Sequence, residues 1–207
     1  MLQNRVDPFG GLIKTEARGS WTGTRGVIHN DKQEIIRTFK LKAWITCKLE
    51  FKGRKRKVMS PDRYTELFFL DEATAFAAGH RPCCECRRED FNTFKKCWLA
   101  GNPEYNFNRK TSIQEIDNVI HRERINKDRS KVTYEESINN IPDGSFILFN
   151  NEPYLVSGNM IHLWTPFGYT KSIALPRMDI QIVLTPRSIV NSLRAGYMTQ
   201  MDRITLF

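Results

Sequence analysis

Tyr64-Thr-Glu-Leu-Phe-Phe-Leu70, Asp71-Glu-Ala-Thr-Ala-Phe-Ala-Ala78 and Gly79-His-Arg-Pro-Cys-Cys-Glu-Cys86-Arg-Arg88 follow one another without a break, and their reading decides the fold. The first is an aromatic run of strand composition. Asp71 is a good N-cap for a helix over residues 72–78, and Gly79 is its stop. Residues 87–100 predict a second helix, with Phe91, Phe94 and Trp98 at i, i+3 and i+7 and Gly101 closing it. Between the two helices, Cys83-x-x-Cys86 places two thiols on one tight turn.

Further along, Ser112-x-x-Glu115 is a capping box that opens a third helix, about 112–127, with Ile113, Ile116 and Ile120 on one stripe. Upstream, residues 44–51 alternate as a strand does. Ile45, Cys47, Leu49 and Phe51 share one face. Asn30-Asp31-Lys32-Gln33 predicts a hairpin within 26–39, with His29 solvated at its tip. Residues 1–25, rich in Gly and Arg, read as an irregular arm. On the C-terminal side, 145–149, 154–156 and 160–164 predict an antiparallel meander turning at Asn150-Asn151, and 180–184 a further strand. Thr185-Pro186 starts a last helix, 186–195, that ends at Gly196. The polar stretch 128–140 suggests a boundary. The expected class is α+β: N-terminal antiparallel strands, a cysteine knuckle and short helices over 1–130, then a small β meander with a terminal helix over 131–207.

Composition narrows the function. Of the 207 residues, 40% are apolar and 27% charged, a globular balance. The longest uncharged run, 153–170, contains two Pro and two Gly and does not read as a membrane span. The N-terminus lacks the apolar core of a secretory signal, so a cytoplasmic location is expected. Five cysteines, an odd number, argue for reduced thiols that serve as core, metal ligand or nucleophile. The net charge is +9, and residues 1–100 hold 20 Lys and Arg against 12 Asp and Glu. A basic field of this size favours phosphate polymers. Arg54, Lys55, Arg56 and Lys57 form a basic turn, and Arg81, Arg87 and Arg88 surround the knuckle with aromatics nearby. Basic residues on turns suit nucleic acid better than a membrane, which calls for a cationic amphipathic helix.

The stretch from Tyr64 to Arg88 resembles the second half of the zinc-binding N-terminal domain of the bacterial Ada alkylation-repair protein: an aromatic strand, an Ala-rich helix, then Ala-Gly-His80-Arg-Pro-Cys83-x-x-Cys86-Arg. The resemblance covers about 25 residues and implies zinc on Cys83 and Cys86. It does not supply the family's first ligand pair, two cysteines four residues apart, because Cys47 stands further upstream with Phe51 four residues later. Methyl-transfer chemistry is therefore not assigned. The whole chain is also similar to a bacterial protein family, a likeness that carries no activity with it.

Three functional readings follow. In the first, zinc is held by Cys83 and Cys86, with Cys47 as third ligand and His121 as fourth, in a protein that binds nucleic acid, DNA before RNA, in repair, processing or defence. Arg54, Lys55, Arg56, Arg81, Arg87 and Arg88 contact phosphate. In the second, a small hydrolase or nuclease uses His121, Glu123 and His80. Asp117 and His121, at i and i+4, form an orienting pair on the third helix. In the third, the cysteines are core filler in a non-enzymatic interaction module; Cys47 on its apolar strand face and Cys97 beside Trp98 both fit packing.

Overall fold

A computed structural model describes residues 1–53, 57–176 and 179–204. The chain is α+β, with two six-stranded, mostly antiparallel sheets and four α-helices among the described residues. The first sheet holds β1 (Gln3–Val6), β2 (Leu12–Lys14), β3 (Trp21–Thr24), β4 (Ile45–Cys47), β5 (Leu67–Phe69) and β6 (Arg81–Pro82), in the order β2-β1-β5-β3-β4-β6. The second holds β7 (Tyr134–Ser137), β8 (Phe146–Phe149), β9 (Glu152–Ser157), β10 (Met160–Thr165), β11 (Gly168–Ala174) and β12 (Ile180–Val183), in the order β11-β10-β9-β8-β12-β7. The helices are α1 (Glu72–Ala77), α2 (Arg88–Gly101), α3 (Ile113–Arg124) and α4 (Arg187–Arg194).

Helix α1 is the hub. All six of its residues are buried, and small side chains let three clusters close on it. Ala73 and Ala77 meet Phe146, Leu155 and Trp164 of the second sheet. Ala75 lies with Val6, Leu67 and Phe69 of the first. Phe76 joins Phe94, Trp98, Ile116, Ile120, Ile189 and Leu193 of the other helices. A helix covered on every side must have its ends satisfied internally. Asp71 accepts from the Thr74 amide and hydroxyl, both at 2.7 Å, and from Tyr169 Oη. At the other end Lys131 donates to Ala77 O and Arg124 to Gly79 O. Gly79 has a φ of +83°, and a Cβ there would strike the Arg124 side chain. Helix α4 packs on α2 and α3, so the two halves of the chain share one core.

The N-terminal arm departs from expectation. Residues 1–25 contribute three strands, and Gly23 takes a ladder position where a Cβ would meet the Phe69 ring at 2.8 Å. Glycine-rich sequence conceals such a strand, because close backbone approach replaces side-chain alternation. The strand expected over 44–51 stops at Cys47, opposite Thr22, where β3 ends as a partner. Leu49 beyond it is exposed. The expected hairpin within 26–39 is reduced to one bridge, His29 to Ile35. His29 is not solvated: it is buried, with Nδ1 2.6 Å from Thr65 Oγ1 and Nε2 3.2 Å from Ser60 O. The third helix ends at Arg124, and β7 and β11 join the expected meander strands.

Candidate metal centre

Backbone pairing assembles the thiol cluster. Strand β4 runs parallel to β6 with Thr46 opposite Pro82, and the Cys83 amide donates to Thr46 O at 2.9 Å. This sets Cys83 beside Cys47, across 36 residues of chain. The turn after β6, closed by the Arg87 amide on Cys83 O at 3.1 Å, then returns Cys86 to the same place. The sulfurs of Cys47, Cys83 and Cys86 all lie within 4.8 Å of one another. Cys83 and Cys86 are buried and Cys47 half-buried, while Cys84 is exposed and Cys97 packs in the helical core.

The surroundings favour negative sulfur at Cys83, while burial raises the Cys86 thiol. The Glu85 amide lies 3.4 Å from Cys83 Sγ, the Cys86 amide also points at it, and the Lys48 amide donates to Cys86. The Cys47–Cys83 hydrogen bond pulls the Cys83 thiol well below its ordinary range, and the same bond, helped by burial, pushes Cys47 up. Proton sharing of this kind marks thiols close enough to bind one cation in place of their protons. Three cysteines so placed can hold a metal ion. No fourth His, Cys, Asp or Glu joins them among the described residues, and residues 54–56, 177–178 and 205–207 include none of those types.

The other expected site residues lie elsewhere. His121 is outside the thiol group: Arg124 Nη2 sits 2.8 Å from its Nδ1, and its ring packs edge-on to Phe39 at 4.7 Å. Its expected partner Asp117 is taken by Arg81, Nε to Oδ1 and Nη2 to Oδ2, each at 2.7 Å. A guanidinium outcompetes an imidazole there because it satisfies both carboxylate oxygens at once. Glu123 accepts from the Ser188 amide (3.0 Å) and hydroxyl and from Tyr105 Oη, so it caps the start of α4. His80 is fully buried against Trp44 and Phe69, with Arg25 Nε 3.3 Å from its Nε2.

The basic residues divide in the same way. Arg87 is buried, bonded to Glu72, to Thr46 Oγ1 at 2.7 Å and to Asp90 at 2.8 Å, and its guanidinium lies 4.0 Å from the Trp21 ring centroid. Arg81 and Arg87 therefore spend their donors inside the protein. Arg88 is exposed, and Arg54, Lys55 and Arg56 lie outside the described residues. Sequence reasoning missed Glu72 and Asp117 as the partners of these arginines, and no local spacing signals them. Nor does any local spacing signal that the Trp44 ring, buried rather than open to a base, carries Arg25 and Arg124 at 3.9 and 3.8 Å.

Burial drives the His80 imidazole well below its usual range, with Arg25 and Arg124 adding to the effect, and burial with Arg124 brings His121 down to about 4. A base whose folded pKa is depressed stays neutral where the free side chain would charge. Both histidines are therefore expected neutral at about pH 5.5, where an unperturbed imidazole is mostly protonated. Imidazole nitrogen shifts in an NMR titration check this, and a charged His80 at that pH would contradict the buried geometry. Comparison with protein-family profiles, with curated proteins and with solved structures finds no match to this chain.

Proposed function

We propose that this is a nucleic-acid-binding protein in which Cys47, Cys83 and Cys86 hold zinc in a structural role. The convergence of three thiols from two distant segments carries the reading. Thiolate sets with amide donors suit a borderline-soft d¹⁰ cation, and tetrahedral zinc would take the three sulfurs at about 2.3 Å. The metal would staple the end of β4 to the turn that launches α2. Its fourth position falls to an external ligand. The partner class rests on the +9 charge, and a role in DNA repair, processing or defence rests on the resemblance over residues 64–88. The geometry gives the hydrolase alternative less support, since Glu123 is committed to capping α4 and His121 to Arg124.

The test joins metal analysis to binding. Purified protein should carry about one zinc per chain, and its affinity for an oligonucleotide duplex should fall steeply with salt, as counterion release requires. Protein free of metal, or affinity independent of salt, counts against the proposal. Parallel titrations with single-stranded DNA and RNA decide the polymer.

A further inference from the structure

The loop 36–42 and the second half of α3 with the turn after it meet over His121. Lys42 Nζ is 3.1 Å from Asn118 Oδ1 on α3. Arg129, from the turn, lays its guanidinium 4.6 Å from the Phe39 ring centroid, and Phe39 in turn stands edge-on to His121. Lys42 and Arg129 are both exposed, and both act electrostatically on His121. Segments 36–42 and 118–131 together carry eight Lys and Arg against two acids, Glu123 and Asp128. Glu123 is turned to Ser188, and Asp128 is held by the Ser130 amide and hydroxyl at 2.9 and 2.7 Å.

The hydrogen bond beneath the imidazole sets its polarity. A guanidinium only donates, so Nδ1 of His121 must accept from Arg124, and the ring proton resides on Nε2. That nitrogen makes no hydrogen bond among the described residues, and it is not among their sealed, unpartnered polar atoms. The half-buried ring therefore offers a donor, flanked by two exposed cations and backed by a third. With Asn118 Oδ1 already accepting from Lys42, the side chains left to face a ligand are donors, which disfavours metal cations and suits an oxyanion.

We propose that the surface at His121 binds a backbone phosphate of nucleic acid, its oxygens accepting from the His121 Nε2–H and pairing with Lys42 and Arg129. The proposal rests on the nucleic-acid reading above and relocates its contact surface, since Arg81 and Arg87 are internally paired. A contact of this kind positions the polymer without reading its bases.

The experiment measures anisotropy of a labelled duplex across a salt series for the full chain, for Lys42→Ala/Arg129→Ala, for His121→Gln, and for Lys96→Ala/Arg109→Ala as a charge-matched control at another exposed surface. Thermal melts confirm that each variant folds. Loss of two phosphate contacts should weaken binding by about tenfold or more and flatten the log–log salt slope by about 2, with a smaller change in the control. His121→Gln should weaken binding, and the His121 Nε2 resonance of the parent should move on adding the duplex. Equal losses in the Lys42/Arg129 pair and the control, or none in either, overturn the site while leaving the nucleic-acid reading intact. Failure of the parent protein to bind any oligonucleotide at low salt overturns both. Binding only to phosphatidylserine vesicles, lost in Lys42→Ala/Arg129→Ala, would assign this surface to a lipid headgroup and overturn the proposal.

Discussion

Replacing Cys83 or Cys86 by serine should abolish metal binding and lower the stability of the protein by roughly 4 kcal/mol, the linkage expected when free zinc exceeds its dissociation constant a thousandfold. For a chain of this length that corresponds to a fall in melting temperature of about 8–16 °C. The staple reinforces a short strand pairing. Strand β6 has two residues, β4 has three, and their parallel pairing covers only Ile45–Arg81 and Thr46–Pro82. Without the cation, the negative charge drawn onto Cys83 is left in a partly buried pocket with only the neighbouring thiols and amides to hold it. Cys47→Ser should behave like the other two. Cys84→Ser should keep its metal, because that thiol is exposed and stands outside the cluster. A chelator should destabilise the parent and Cys84→Ser and leave the Cys47, Cys83 and Cys86 variants unchanged. Since protons compete for the sulfurs, zinc affinity should weaken as pH falls. Zinc content and melts on the five proteins, with and without chelator, decide the matter. Equal metal in parent and variants would remove the triad from consideration.

Arg81→Met should cost about 3–5 kcal/mol, because it leaves Asp117 buried without its partner. Both side chains of this pair are at most 5% exposed. The fork ties β6, and with it the turn bearing Cys83, to the middle of α3. The double variant Arg81→Met/Asp117→Leu should recover most of the loss, since exchanging a whole buried ion pair for apolar groups is often neutral. Urea melts of the four members of this cycle measure the coupling. A single variant within about 0.5 kcal/mol of the parent, the range of ordinary surface changes, would mean that solvent reaches the pair. Arg81 as a phosphate contact makes the opposite prediction: lost affinity at unchanged stability.

What could be read along the chain was whatever short-range chemistry determines. Asp71 and Gly79 bracket α1 because capping and the left-handed stop act within one turn. The Ser112–Glu115 box opens α3 for the same reason. The meander strands alternate because a strand with two different faces must. The CxxC turn brought Cys83 and Cys86 into view, and alternation around Cys47 showed a thiol without saying what it faced. The N-terminal strands were hidden, since Gly23 earns its ladder position by what it lacks.

The sequence by itself therefore determined the α+β class, the four helices, the C-terminal meander and one pair of neighbouring thiols, all features decided by contacts a few residues apart. Only the tertiary structure decided which long-range partners won. It set Cys47 against Cys83 through the β4–β6 pairing, gave Asp117 to Arg81 and gave Glu72 to Arg87. Charged groups brought into a core must pair with whichever opposite charge the packing delivers, because an unpaired buried charge costs more than most local preferences can supply. That selection is made in space, among residues 15 to 36 positions apart, where no periodicity records it.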